Sequence, residues 1–505
     1  ISAFEVNGGT LFACIFHKTS SAWVARHGLT PDQYQKEFST WTQKGYRPIE
    51  VCGYTSKGVE LYAAVWEKST GPAWSARHGM AASGYQTEFN NHLKNGYQPI
   101  RVSGYEVAGK DKYAAIWIKS SEGFMARHAL TDINYQAEFE NGWYQGMILK
   151  HVCGYTSGGA VRFAALWSAG ALSSKDATFL DEKITAYMKN SNIPGLSIAV
   201  MKDDRLVWAK GYGYSDKSKG ELVSPVSTFR IASVSKPITA TAIMKLVETG
   251  KLKLTDKVFG PSGILGDYCT TAGACIDKAN LEKITVQHLL EHTTGWTQDA
   301  IWQQYQLNNN DLIKWAVKNY AQTSTPGTNF LYLNFNYFLL GRIIEKKTGQ
   351  TYENYVKSAI FSQCGITNTY VGAETQALKG PREVIYYPDN NNGNPYDLKT
   401  KRMDASGGWV SSPIELLKFA ACVDKLPGRR DVLSSATIDV MRTPSKAAGA
   451  GNYAKGWMAD GGWWMHNGCM SGTLALFVHF PNGISVSMLV NTRPQNDVCT
   501  WDGMY

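Results

Sequence analysis

No two cysteines in this 505-residue chain are spaced as C-x-x-C, and no Cys/His set has the spacing of a zinc site. A structural zinc and dithiol redox chemistry are therefore excluded as readings of the nine scattered cysteines. The chain has no N-x-S/T sequon, so N-glycosylation gives no sign of export. It also has no apolar run approaching the ~18 residues that would cross a bilayer, and no membrane partner is expected. Basic residues exceed acidic ones by nine, but the excess divides into three over residues 1–170 and six over 171–505, with no basic block in either part. So diffuse a charge acts on solubility rather than on recognition of nucleic acid.

An apolar share of 44% and an aromatic share of 12% are those of a packed globular protein, and 505 residues exceed one ordinary core. The first residue is Ile1, with no signal-like segment after it, and the cysteines suit disulfides better than buried thiols; a processed, secreted protein is the expectation. Cys269 and Cys275 bracket a small-residue loop and are expected to pair, and the odd total leaves at least one thiol free. No metal or cofactor is expected, and the oligomeric state is not legible.

A unit of ~50 residues occurs three times in the first third of the chain. Trp23-Val24-Ala25-Arg26-His27-Gly28 returns as Trp74-Ser75-Ala76-Arg77-His78-Gly79 and as Phe124-Met125-Ala126-Arg127-His128-Ala129. Each is followed by a helical stretch with Tyr and Phe four residues apart, then by a strand ending in Gly-Tyr, a turn, and a second strand such as Tyr62-Ala63-Ala64-Val65-Trp66. Each copy thus reads as a helix plus a hairpin. The strand around Leu11–Phe16 reads as the end of an incomplete preceding copy, which would let the sheets close on one another. The recurring Arg-His pair could hold a ligand, but a pair present in every copy is expected to pack one copy on the next.

The repeats stop after Trp167, and Ser168–Ser174 reads as a linker, giving a repeat domain at 1–170 and a second domain at 171–505. Apolar strands lie near both ends of the second domain, at Ile193–Val200 and Ile484–Val490, with helices between. That pattern predicts an α+β fold whose antiparallel sheet joins its N- and C-terminal segments.

Ser233-Val234-Ser235-Lys236 is followed by Pro237 and a helix-forming run, which brings Ser233 and Lys236 onto one face at the helix start. Unpaired N–H groups there favour developing negative charge. Further on come Tyr332-Leu333-Asn334 and His466-Asn467-Gly468, with Thr285–Gly295 and Gly407–Ser412 between and around them. In order and approximate spacing these segments resemble the S-x-x-K, Y-x-N and K/H-x-G elements of class C β-lactamases, D,D-peptidases and their esterase relatives, over about residues 175–495. The resemblance implies a β-lactamase-like domain in which Ser233 attacks a carbonyl, Lys236 and Tyr332 handle the proton, and Asn334 orients the lysine or the substrate. It further implies an oxyanion hole from the backbone N–H groups of Ser233 and Cys469, with Gly468 on the substrate strand. His466 stands where β-lactamases have lysine, a departure that points away from carboxylate-bearing β-lactams.

The first 167 residues resemble a repeat domain of exported bacterial and some fungal proteins. Combined with such a catalytic domain they resemble the fungal polyglycine hydrolases, which are secreted serine proteases that cut Gly–Gly bonds in the glycine-rich linkers of plant defence chitinases. That resemblance implies a secreted endopeptidase whose partner is a chitinase linker. A broad esterase or D-amino-acid peptidase, and a non-catalytic binding protein using the repeats, are the alternatives. Trp296, Trp409, Trp463 and Trp464 flank the motifs, and Trp296 and Trp409 in particular are candidates for a groove that admits bare glycine backbone.

Overall fold

The computed structural model describes residues 1–6, 9–16, 18–120, 123–144, 147–169, 174–388 and 393–494. The chain forms two compact units, Ile1–Ala177 and Thr178–Tyr505. Of the expected linker Ser168–Ser174, the three described residues belong to regular elements. Ser168 and Ala169 complete a strand and Ser174 opens a helix, while 170–173 lie outside the described residues.

In the first unit a hairpin of β1 (Ser2–Val6) and β2 (Gly9–Ala13) precedes three copies of strand, helix and hairpin. These are β3 (Trp23–Leu29), α1 (Pro31–Gln43), β4 (Arg47–Ser56) and β5 (Val59–Glu67), then β6 (Trp74–Ala81), α2 (Ala82–Lys94), β7 (Tyr97–Val107) and β8 (Lys110–Lys119). The last copy is β9 (Phe124–Leu130), α3 (Asp132–Tyr144), β10 (Met147–Ser157) and β11 (Ala160–Ala169). Each copy is its own three-stranded antiparallel sheet, with the last strand central, so the sheets stack without closing into one. Thr30 caps α1 in a capping box with Gln33, whereas α2 has Ala81 at its capping position and so no side-chain cap, as its sequence requires.

Of the recurring Arg-His pair, the arginine acts within its own copy and the histidine joins one copy to the one before it. Arg26, Arg77 and Arg127 pair with Glu37, Glu88 and Glu138 on the helices of their own copies. His78 stands edge-on against Tyr34 and Tyr62 of the copy before it, and His128 against Tyr85 and Tyr113. His27 meets Phe12 of the first hairpin at a tilt, which makes that hairpin the remnant of a preceding copy. Each Gly-Tyr pair has a similar logic: the Tyr105 ring lies where a Cβ on Gly53 would be, 2.2 Å from the nearest ring carbon, and Tyr155 covers Gly104 at 2.4 Å. Gly104→Ala is therefore expected to destabilise the repeat unit by about 1–3 kcal/mol through overpacking. Urea unfolding of the full chain should show an earlier transition, while Gly84→Ala, on α2 with open space around it, should show none.

The second unit is built on a seven-stranded antiparallel sheet. After α4 (Ser174–Asn190) come β12 (Gly195–Lys202), β13 (Arg205–Asp216) and β14 (Glu221–Leu222). A small sheet is formed by β15 (Phe229–Arg230), β16 (Tyr370–Val371) and β17 (Trp409–Ser411), and the large one is completed by β18 (Met458–Asp460), β19 (Trp463–Met470), β20 (Thr473–His479) and β21 (Ile484–Val490). β12 pairs with both β13 and β21, so the two ends of the unit meet at the middle of its sheet as the sequence predicts. Helix α5 (Ser235–Glu248) is buried over most of its length and packs beside α6 (Asn334–Thr348). Cys269 and Cys275 form a disulfide and Cys469 is also disulfide-bonded, while Cys14, Cys52, Cys153, Cys364 and Cys422 are free. Among the described residues no helix is long and apolar enough to cross a membrane.

Candidate active site

Ser233 lies in a single 3-10 turn, Ala232–Val234, immediately before α5, and not in the first α-helical turn that its spacing to Lys236 predicts. The chain reverses sharply as it leaves β15, and Ala232 takes the left-handed conformation at φ 46° to make that reversal. A non-glycine residue held there stores strain, which is expected where a side chain must be presented in one orientation. Pro237 is accommodated because it falls within the first turn of α5.

Lys236 is fully buried, with its amine 2.9 Å from Ser233 Oγ, 2.7 Å from Asn334 Oδ1 and 2.8 Å from the Ser406 carbonyl oxygen. Tyr332 is hydrogen-bonded to Ser233 as well, and its ring lies 4.6 Å from the lysine nitrogen. Ser233 Oγ thus sits between an amine and a phenol. The segment carrying Tyr332 is clamped by His292, whose carbonyl accepts from the Leu331 N–H and whose Nδ1 accepts from the Leu333 N–H. His292 also adopts a left-handed backbone, at φ 54°, and its ring lies 4.4 Å from that of Tyr332.

Burial decides the protonation states here. Loss of water holds Lys236 well below the usual lysine range, opposed only by the charge of Asp299. Tyr332 is pushed well above its usual value, so it stays a neutral phenol. His466, buried on β19, is pushed down to about 3 by burial and by the nearby lysine, and His292 is held well below its ordinary value for the same reasons. Both imidazoles are therefore uncharged at neutral pH. A neutral Lys236 has two N–H bonds, which Asn334 Oδ1 and the Ser406 carbonyl take up. Its lone pair is then left for the Ser233 proton. This arrangement gives the serine a base within hydrogen-bond reach.

Gly468 brings the edge of the sheet against Ser233. Beyond Met465, β19 has outrun its pairing with β18, and the Ser233 turn packs where the next strand would be. A Cβ at Gly468 would fall 2.4 Å from the Ile231 carbonyl oxygen and 2.8 Å from the Ser233 nitrogen, so only glycine permits this approach. Gly468→Ala should push β19 off Ser233 and lower kcat at least about tenfold with the fold retained, measured by ester hydrolysis alongside thermal melting.

Ser233, Lys236, Tyr332, Asn334, His466, Gly468 and Cys469 come from separate segments. Lys236 and Asn334 contact each other directly, and the β19 residues line the adjoining sheet edge. The two tryptophans expected to bind substrate do not reach it. Trp296 is 1% exposed, packed on Phe259 and Phe335 with its ring N–H bonded to the Tyr320 carbonyl, and Trp409 is fully buried against Tyr352 and Phe361. Trp464 is buried likewise. The ring alone does not tell a core tryptophan from a groove tryptophan, and these belong to the core. The exposed aromatic groups on the chain segments joined to the site are Trp302 and Tyr305, with Leu331 next to Tyr332. Their loop is pinned by Arg402, which donates to the carbonyls of Gln303, Gln304 and Leu307.

Sequence reasoning missed Ser406, which acts through its carbonyl and so carries no side-chain signal, and His292, visible only as part of the Thr285–Gly295 segment. Behind Ser406, Asp404 is ion-paired to Arg342 of α6 at 2.6 Å, which fixes the loop that offers the carbonyl.

Residues 180–502 match the Beta-lactamase family model, and residues 20–69, 71–120 and 121–169 each match the polyglycine hydrolase-like structural repeat. Among curated proteins, Protein flp of Staphylococcus aureus (strain MRSA252) is 29% identical over 237 residues, 46% of this chain, and the match spans 43% of that protein's length. Among solved structures, the octameric penicillin-binding protein homologue from Pyrococcus abyssi is similar at 27% identity and a TM-score of 0.50, over 63% of this chain and 74% of that one. The β-lactamase/D-alanine carboxypeptidase from Pseudomonas syringae shares the fold at 20% identity and a TM-score of 0.52, over 63% of this chain and 95% of that one. With its serine, lysine and tyrosine in contact at the turn before α5, and three polyglycine hydrolase-like repeats ahead of them, the chain belongs to the Beta-lactamase family of serine hydrolase folds.

Proposed function

We propose that this protein is a secreted serine endopeptidase that cuts Gly–Gly bonds in glycine-rich linkers, with the linker of a plant chitinase as its target. The observation that carries the reading is the pairing of three polyglycine hydrolase-like repeats with a Ser233 site in which both proton carriers are in place. Ser233 Oγ bonds to the scissile carbonyl carbon as its proton passes to the Lys236 amine, and the carbonyl π electrons move onto oxygen. The backbone N–H groups of Ser233 and Cys469 receive that oxyanion, at about 3–4 kcal/mol of stabilisation per donor. Collapse breaks the C–N bond, and the leaving amine takes a proton from Tyr332, which is resupplied by Lys236. Water then cleaves the acyl ester by the reverse proton path.

The neutral His466 supports an internal bond as substrate. An uncharged imidazole where related enzymes carry lysine offers no fixed cation to a terminal or β-lactam carboxylate. The exposed Trp302 and Tyr305 are the side chains proposed to meet a glycine run, because flat aromatic faces accept a peptide backbone that carries no side chains. Digestion of a protein with an internal glycine run, read by intact mass, tests the proposal. Cuts confined to Gly–Gly bonds are expected; no cuts together with retained hydrolysis of simple esters would replace the endopeptidase with a broad esterase.

A further inference from the structure

Helix α6 starts at Asn334, and Leu333, at the capping position, supplies no side-chain hydrogen bond to the free N–H groups of the first turn. The cap comes instead from a distant loop. Asp299 Oδ2 accepts from the Asn334 backbone N–H at 2.9 Å and from the Asn334 side-chain amide at 3.0 Å, and Asp299 Oδ1 accepts from the Phe335 N–H at 2.9 Å. One carboxylate thus binds both the backbone and the side chain of a residue that touches the catalytic lysine.

The side-chain contact has a chemical consequence. A carboxylate accepts hydrogen bonds and cannot donate them, so it binds the NH2 end of the Asn334 amide and turns the oxygen toward Lys236. Were the amide reversed, its NH2 would face the lysine N–H bonds and the lone pair of Lys236 would lose its direction toward Ser233. We propose that Asp299 is a positioning residue for the serine hydrolase reaction, fixing the orientation of Asn334 and, through it, the direction in which Lys236 offers its base. The inference rests on the reading of Ser233 as nucleophile. It adds a residue that touches neither the nucleophile nor the lysine.

Lys236 is surrounded by Ser233, by Tyr332 and Tyr337 from the α6 side, by the Ser406 carbonyl, and by the neutral imidazoles of His292 and His466. Of the charged groups, Asp299 is the one that favours the ammonium form of Lys236. Replacing it with an uncharged residue therefore lowers the lysine's proton affinity further. The acid limb of any reaction that needs the free amine should then move to lower pH.

The test uses the full chain and a fluorophosphonate probe that reacts with activated serines, with the labelling rate followed against pH and ester hydrolysis measured in parallel. Asp299→Asn should lower kcat for the ester about tenfold or more with little change in KM, and should shift the acid limb of labelling to lower pH. On an Asn334→Ala background the same substitution should cost little further kcat, because its route of action is already gone. A loss of activity with the limb unmoved, adding in full to that of Asn334→Ala, would reduce Asp299 to a helix cap and overturn the inference. Should Asp299→Asn not fold, Asp299→Glu keeps the charge but displaces the oxygens; a reduced kcat with the limb in place supports the inference, and an unchanged kcat overturns it. Absence of Ser233-dependent labelling in the unsubstituted protein would instead overturn the catalytic reading beneath it.

Discussion

Ser233→Ala should lower hydrolysis of peptide and ester substrates by about 10⁴-fold or more while leaving the melting temperature nearly unchanged. The magnitude follows from the site's construction: the Ser233 hydroxyl stands between the Lys236 amine and the Tyr332 phenol, in contact with both. The substitution is structurally mild. Ser233 is half-buried, its Cβ is retained, and Lys236 keeps Asn334 Oδ1 and the Ser406 carbonyl as partners. What remains should be the modest acceleration that an oxyanion site and substrate binding provide by themselves. Rates for purified protein and variant on one ester and one glycine-run peptide suffice to measure it. A loss of less than about tenfold on both would mean that another residue is the nucleophile.

The second large effect concerns which group is the base. Lys236→Arg puts a guanidinium that does not deprotonate where the folded protein holds a neutral amine, and Lys236→Met removes the nitrogen while keeping most of the volume. Both should reduce kcat by on the order of 10³-fold. The pH dependence separates lysine from tyrosine. The folded protein holds Lys236 well below its ordinary range, so kcat/KM should rise as pH increases through that lowered value and level off near neutrality. Tyr332 is held well above its ordinary range, so a mechanism requiring its phenolate would instead give activity still climbing beyond pH ~10. A plateau from about pH 7 to 9 is the expected profile. Continued rise across that interval would transfer the role of base to Tyr332.

Much of this was legible in the sequence because it depended on side-chain identity at fixed spacing. The repeat period, the Arg-His pair and the Gly-Tyr pair could be seen before their roles were known; the structure puts the histidines and the Gly-Tyr pairs into copy-to-copy contacts, ring on ring and ring on glycine, and the arginines into ion pairs within their own copies. Ser233, Lys236, Tyr332 and Asn334, whose side chains the structure brings together, could be picked out because those side chains come in a recognisable order. The residues that escaped act differently. Ser406 contributes a carbonyl, Asp299 acts through Asn334 from 35 positions away, and Ala232 matters for its backbone angle. None of these leaves a compositional trace. Trp296 and Trp409 show the converse error, since aromatic character near a motif does not reveal whether a ring faces substrate or core; only the packing against Phe335, Tyr352 and Phe361 settles it.

The bounds of the expected linker were misread for a related reason. Small residues such as Ser168, Ala169 and Ser174 are compatible with strand ends and helix starts as well as with loops, and here two of them finish β11 and the third begins α4. The single 3-10 turn at Ser233 could not be read either, because i and i+3 share a face in both kinds of helix. The difference matters for the chemistry. It is the tight turn and the left-handed Ala232 that set Ser233 against the backbone of Gly468.

The most direct test of the central claim is to trap the acyl-enzyme. A peptide with an internal glycine run is mixed with the protein, the reaction is quenched in acid within the first turnover, and the protein is analysed by intact mass and then by peptide mapping. The mechanism predicts a mass increase equal to the N-terminal product ending in glycine less one water, located on Ser233 and absent from Ser233→Ala. Cleavage of the same peptide with no adduct at Ser233 in the first turnover, and with undiminished cleavage by Ser233→Ala, would contradict it.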